Sequence, residues 1–111
     1  MGKNLDSRTR NVVRYYLPEN DMLEQLTGLF SAFSDETRVR MVSALSITEM
    51  CVTDLAEVLN VNQTTVSHQL KLLRNSGVVQ GIREGKTVYY SLKSPVICDL
   101  MLMGVKKIEE M

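Results

Sequence analysis

At 111 residues, 44% of them hydrophobic and 23% charged, the chain has material for one domain with one modest core and too little for several. Its two cysteines lack CxxC spacing, which leaves neither a disulfide framework nor a zinc ribbon supported. With no leader pattern and no apolar run of about 18 residues, the expectation is a cytoplasmic protein without a membrane partner. The formal net charge is zero, which at first argues against a polyanionic partner, but the charges are segregated. From Glu19 to Val61 eight acids face two arginines, a net of −6; from Asn62 to Lys93 five basic residues face Glu84 alone, a net of +4. A local basic region of that kind is what phosphate binding requires.

The first residues, Gly2, Lys3, Asn4, Asp6 and Ser7 among them, are mostly polar and read as loose. From about Leu5 to Leu17 the pattern predicts a short helix with Val12, Val13, Tyr16 and Leu17 on one face, ended by Pro18. Arg8, Arg10 and Arg14 project elsewhere and read as surface charges. A second helix is expected from Asn20 or Asp21 to Phe33, with Leu23, Leu26, Phe30 and Phe33 at helical spacing. Ser34 then reads as the N-cap of a third helix, with Asp35 and Glu36 in its first turn, running to about Leu45 and burying Val39, Val42 and Leu45. These boundaries divide the chain into 1–18, an N-terminal arm or short helix, and 19–111, the main domain.

After a connection from Ile47 to Met50, a short helix begins with Cys51 at the cap position and Asp54 three residues on, where a capping acid belongs. Leu55, Val58 and Leu59 form its expected apolar stripe, and Asn60 its left-handed terminator. Asn62 caps the next helix, Gln63 to about Ser76. Val66, Leu70 and Leu73 must face the core there, which turns Thr64, Ser67, His68, Lys71 and Arg74 outward. Gly77 closes that helix. Val78, Val79 and Ile82 lead into a strand that turns at Glu84, Gly85 and Lys86 and returns through Val88, Tyr89, Tyr90 and Leu92. Such a hairpin must pack on the helices to persist. Ser94 and Pro95 open a last helix, to about Glu110, in which Ile97, Leu100, Met101, Val105 and Ile108 make it too apolar for a free surface. Burial against the same helix of a second copy is the simplest remedy. The fold class is therefore mainly α with a small β-hairpin: a winged helix-turn-helix.

Three stretches carry a family resemblance: FSAFSDETRVRMVSAL, MCVTDLAEVLNVNQTTVSHQLKLLRNSGVV and REGKTVYYSL. Through them the chain resembles the ArsR/SmtB class of bacterial winged-helix repressors over nearly its full length. The resemblance implies a homodimer through the first and last helices that binds an imperfect inverted repeat in double-stranded operator DNA and is released by an inducer. It places DNA contacts at Gln63, Thr64, Ser67 and His68 of the recognition helix and at Arg83 and Lys86 of the wing. Gln63 and His68 suit base edges, while Thr64, Ser67 and Lys71 suit phosphate positioning. The bland alternative is that basic side chains on a helix face are simply solvated.

The resemblance also frames the sensor. The soft-metal branch carries two cysteines in a Glu-Leu-Cys-Val-Cys-Asp stretch; here the matching residues are Glu49, Met50, Cys51, Val52, Thr53 and Asp54, so one thiol is kept and Thr53 replaces the other. The zinc branch uses histidines along the last helix, where Met101 stands in place of the first and the only histidine of the chain is His68. Neither metal set is complete, and no metal or other cofactor is expected. Cys51 and Cys98 remain as candidate sensor thiols for an oxidant, a persulfide or a thiophilic ion, set against structural readings in which Cys51 caps a helix and Cys98 fills space. No nucleophile-base constellation or phosphate-binding glycine loop suggests an enzyme. A winged-helix module that binds protein rather than DNA is the alternative from another class.

Overall fold

The computed structural model describes residues 3–111; Gly2 of the polar N-terminal stretch lies outside the described residues. Their order is α1 (Ser7–Tyr16), α2 (Asn20–Ser31), α3 (Glu36–Leu45), α4 (Val52–Leu59), α5 (Gln63–Asn75), β1 (Val79–Glu84), β2 (Thr87–Leu92) and α6 (Pro95–Glu109). Local chemistry sets most of these boundaries. The Asp6 carboxylate accepts a hydrogen bond from the Thr9 amide at 2.7 Å and so caps α1. That bond favours the ionised form and holds the Asp6 carboxyl below the usual carboxylate range. The Ser94 hydroxyl accepts from the Val96 amide, with Pro95 following as the first helical residue of α6.

The cap of α3 lies one residue later than the sequence pattern suggests. Asp35, not Ser34, has the extended backbone, and its carboxylate accepts from the Arg38 amide at 3.0 Å. An ionised carboxylate is the better acceptor at a helix N-terminus, where the dipole adds to the hydrogen bond. Ser34 instead completes the preceding turn, its hydroxyl donating to the Ser31 carbonyl at 2.7 Å. Accordingly α2 ends at Ser31, two residues short of Phe33.

Both helices of the helix-turn-helix stop in the same way. Asn60 is left-handed (φ 53°, ψ 48°), and the Val61 amide reaches back to the Ala56 carbonyl at 3.0 Å. Gly77 has φ 73°, and the Val78 amide reaches the Leu73 carbonyl at 2.9 Å. Each satisfies carbonyls that a helix end leaves without partners, and each turns the chain sharply.

The core lies where α3, α4, α5 and the hairpin meet. Met41, Val42, Leu55, Val66, Leu70, Leu73, Val78 and Val79 are the side chains most completely removed from water, and Ile97 brings α6 against them. Two expected core members are displaced. Met41 and Ala44 are buried on α3 while Val39 is only half-buried, and on α4 the third buried position is Ala56, with Val58 left 64% exposed.

The hairpin pairs in register from Val79 with Leu92 to Glu84 with Thr87. It is held to the body by backbone: Met50 and Tyr90 exchange hydrogen bonds at 3.1 and 2.9 Å, and the Lys93 amide donates to the Val78 carbonyl. Gly81 makes room for the Tyr90 ring, since a Cβ there would stand 3.0 Å from Tyr90 Cε1.

The N-terminal helices are a different matter. Neither α1 nor α2 contains a buried residue. Val12, Val13, Tyr15, Tyr16 and Leu17, together with Leu23 and Phe30, lie open, as do Leu102, Met103, Val105 and Ile108 on α6. The radius of gyration is 18.5 Å and the longest dimension 62 Å, against about 13 Å for the radius of a compact domain of this length.

Replacing Leu70 with Ala should cost about 2–5 kcal/mol of unfolding free energy, because it empties a fully enclosed site. Val58→Ala, on the exposed flank of α4, should cost less than about 0.5 kcal/mol, and denaturant titration of both variants checks the contrast. By the same measurement, Asn62→Ala, which removes the 3.1 Å cap bond to the Thr65 amide, should cost about 1 kcal/mol.

Candidate nucleic-acid interface

The orientation of α5 follows from its apolar stripe. Once Val66, Leu70 and Leu73 are buried, the 3.6-residue period leaves Gln63, Thr64, Ser67, His68 and Lys71 on the opposite side, and all five are exposed. They fall in two rows, Gln63, Ser67 and Lys71 in one, Thr64 and His68 in the other. From Gln63 to Lys71 the helix rises about 12 Å, comparable to the width of the DNA major groove. An amide and an imidazole each combine donor and acceptor functions, hydroxyls are short and adaptable, and an ammonium seeks phosphate. The face thus carries the side-chain types that read base edges beside those that fix position on a backbone.

Arg83 lies near the end of β1, and Lys86 sits in the two-residue turn before β2; both are exposed. Gly85 has φ 65° at the first central position of that turn, as a type II′ hairpin turn requires, and Lys86 occupies the second. Wing and recognition helix are joined through Gly77 and Val78, so the two basic groups belong to one continuous unit rather than to separate surfaces.

The candidate sensor thiols are placed apart from that face. Cys51 is the N-cap residue of α4, with no capping hydrogen bond from its side chain, and Cys98 lies on α6; both are free and half-buried. Among the described residues no three His, Cys, Asp or Glu side chains gather in a group that could hold a metal ion. With Thr53 beside Cys51 and no histidine on α6, both of the metal ligand sets that the sequence was compared with stay incomplete.

One pair escaped sequence reasoning. The half-buried Arg38 of α3 donates to Gln69 Oε1 of α5 at 3.0 Å, across 31 residues of chain. A signal for it does exist in the pattern. Gln69 falls on the buried stripe, three residues after Val66 and four before Leu73, and a polar group on an apolar stripe must find a partner.

The geometry agrees with relatives of known kind. The family model "Bacterial regulatory protein, arsR family" matches residues 35–80, from the cap of α3 into β1. A transcriptional repressor SmtB homolog of Synechocystis is 42% identical over 80 residues, covering 72% of this chain and 61% of its own length. The cadmium resistance transcriptional regulatory protein CadC of Listeria innocua is 41% identical over 86 residues, covering 77% of this chain and 72% of its own. Thus the chain spans less than two thirds of the first relative and more than two thirds of the second. In structure it is similar to a homodimeric winged helix-turn-helix DNA-binding domain from Mycobacterium bovis, with a TM-score of 0.77 at 23% identity over 99% of this chain and 92% of the other. Fold and sequence agree, and the chain belongs to the ArsR family of bacterial transcriptional regulators.

Proposed function

We propose that two copies of this chain bind an inverted repeat in promoter DNA and repress transcription until a thiol-directed signal releases them. The observation that carries the reading is the α5 face: five exposed side chains with base-reading and phosphate-positioning chemistry, opposite a fully buried stripe. Gln63 and His68 take base edges in the major groove, Thr64, Ser67 and Lys71 hold the backbone, and Arg83 and Lys86 add wing contacts. Dimerisation is supported by the apolar side chains left open on α1 and α6. The inverted repeat follows from a twofold pair of recognition helices. Among the described residues no helix is long and apolar enough to cross a membrane, which suits a regulator that acts on DNA in the cytoplasm.

Cys51 and Cys98 are the sensor thiols of this reading. Cys51 directly follows Met50, whose backbone pairs with Tyr90 of the wing, and it opens the first helix of the helix-turn-helix. A change in the bulk or bonding of its sulfur would therefore act on both parts of the DNA-reading unit. The signal is an oxidant, a persulfide or a thiophilic ion.

Selection of bound duplexes from random DNA should return an inverted repeat, and His68→Ala should relax the preference at its base position, at a cost of about 1–3 kcal/mol. Lys71→Ala should weaken binding across sequences and reduce the salt dependence by about one phosphate contact. A chain that binds no duplex at low salt would instead be a protein-interaction module. Treatment with a mild oxidant should lower the affinity for the selected duplex, and a Cys51→Ser, Cys98→Ser variant should bind equally with and without it; release of that variant by the oxidant would remove the thiols from the switch.

A further inference from the structure

The guanidinium of Arg38, on α3, ties that helix both to the end of α2 and to α5. Its Nε donates to the Ala32 carbonyl at 3.1 Å, its Nη2 to the Ser31 carbonyl at 3.0 Å and its Nη1 to Gln69 Oε1 at 3.0 Å. The two carbonyls stand at the C-terminal end of α2, where helix carbonyls lack intrahelical partners. That last turn of α2 contains no basic residue of its own, so Arg38 supplies the cation that a helix C-terminus favours. The third bond lands one residue after His68, on the helix that faces DNA.

Otherwise α2 is loosely attached, with no buried residue between Asn20 and Ser31. Its C-terminal end is fixed by Ala32, Leu29 and Phe33 against the core and by this guanidinium. Nonpolar packing alone leaves α5 able to rotate slightly about its stripe, since hydrophobic contact has little directionality. A planar guanidinium with three acceptors in fixed directions removes that freedom.

We infer that Arg38 is a positioning residue for operator recognition: by clamping Gln69 to the end of α2, it sets the orientation of the recognition helix relative to the N-terminal helices. This rests on the operator-binding reading above. Arg38 touches no DNA in this scheme, and Gln69 contributes through Arg38 rather than through a base. The clamp is needed for the specific mode, in which Gln63 and His68 must meet particular base edges, and not for the non-specific mode, which only neutralises phosphates.

The test is a double-mutant cycle on the full chain, with affinity measured for the selected duplex and for a scrambled duplex of equal length. Arg38→Lys keeps the charge but cannot reach all three acceptors, and Gln69→Leu removes the acceptor while keeping apolar bulk. Each should lower affinity for the selected duplex by about tenfold, with the scrambled duplex changed less than about twofold. The double variant should be no worse than either single one, because both remove the same contact. Gln69→Glu retains an oxygen acceptor for the guanidinium and should recover most of the specific affinity. Thermal unfolding of every variant, followed with DNA absent, identifies any that has lost its fold, and the Gln69→Glu arm decides the matter even if Arg38→Lys is among them. Additive losses, or a Gln69→Glu variant as poor as Gln69→Leu, would show Gln69 acting on DNA directly and overturn the inference. If the unsubstituted chain selects no duplex, the operator reading itself fails and the clamp loses its purpose with it; if it selects one that all three variants bind as well, only the clamp fails.

Discussion

The exposed polar face of α5 and the wing beside it both depend on the burial of one stripe. Val66, Leu70 and Leu73 are sealed against α3 and α4, and with each burying most of a side chain worth about 1.5–3 kcal/mol, rotation of α5 by a third of a turn would sacrifice several of them at once. The polar face is thereby aimed to within a small rotation, and the Arg38–Gln69 contact takes up what remains. The same stripe fixes the exit of the helix, because Leu73 accepts the Val78 amide that turns the chain into the wing. Recognition helix and wing are thus two consequences of a single packing decision, and the Met50–Tyr90 exchange stops the wing from pivoting about its base.

The other half of the molecule is defined by what is missing from its interior. A chain this size has one core, and α3, α4, α5 and the hairpin use it up; α1 and α2 are capped, regular and yet contain no buried residue. Short isolated helices are marginal in water, so α1 cannot owe its stability to propensity alone. Its exposed Val12, Val13, Tyr16 and Leu17, like Met103, Val105 and Ile108 at the far end of α6, are side chains of the kind that a second copy covers. That also accounts for a radius well above the compact value.

Much of this was legible in the sequence where one residue type has one local use. Asn60 at a left-handed stop, Asn62 and Ser94 as caps, Gly77 as a terminator and Gly85 in the turn all act within a few residues of themselves. The outward face of α5 followed because three strong apolar positions leave little choice. The misreadings occur where two candidates compete. On α4, Leu55 and Leu59 can be flanked by Val58 on one side or Ala56 on the other, at about 100° per residue. Apolarity favours Val58, but the buried side of the helix is the one that carries Ala56. On α3, Met41 displaces Val39 for a similar reason: the buried arc centres on Met41 and Leu45, and Val39 lies off its edge. Ser34 and Asp35 are both good caps, and the carboxylate won. Gln69 on the buried stripe of α5 signals that it needs a partner, but that the partner is Arg38, 31 residues away, only the fold shows.

A regulator also has to be able to let go, and the places where it is tied are the places where a signal can act. An inducer shifts binding only by as much as it distinguishes the DNA-competent arrangement from another. The hydrophobic seat of α5 is a poor target, because disturbing it costs the fold. The ties at its margins are better ones: the backbone exchange between Met50 and Tyr90, one residue from Cys51, governs the wing, and the guanidinium of Arg38 governs the relation of α5 to α2. Each is a few directional hydrogen bonds, worth about 0.5–3 kcal/mol apiece, a range that matches typical coupling energies of about 1–3 kcal/mol. Such ties are strong enough to orient the reading unit and weak enough to be exchanged without unfolding it, which separates the contacts that can carry regulation in this chain from those that can only hold it together.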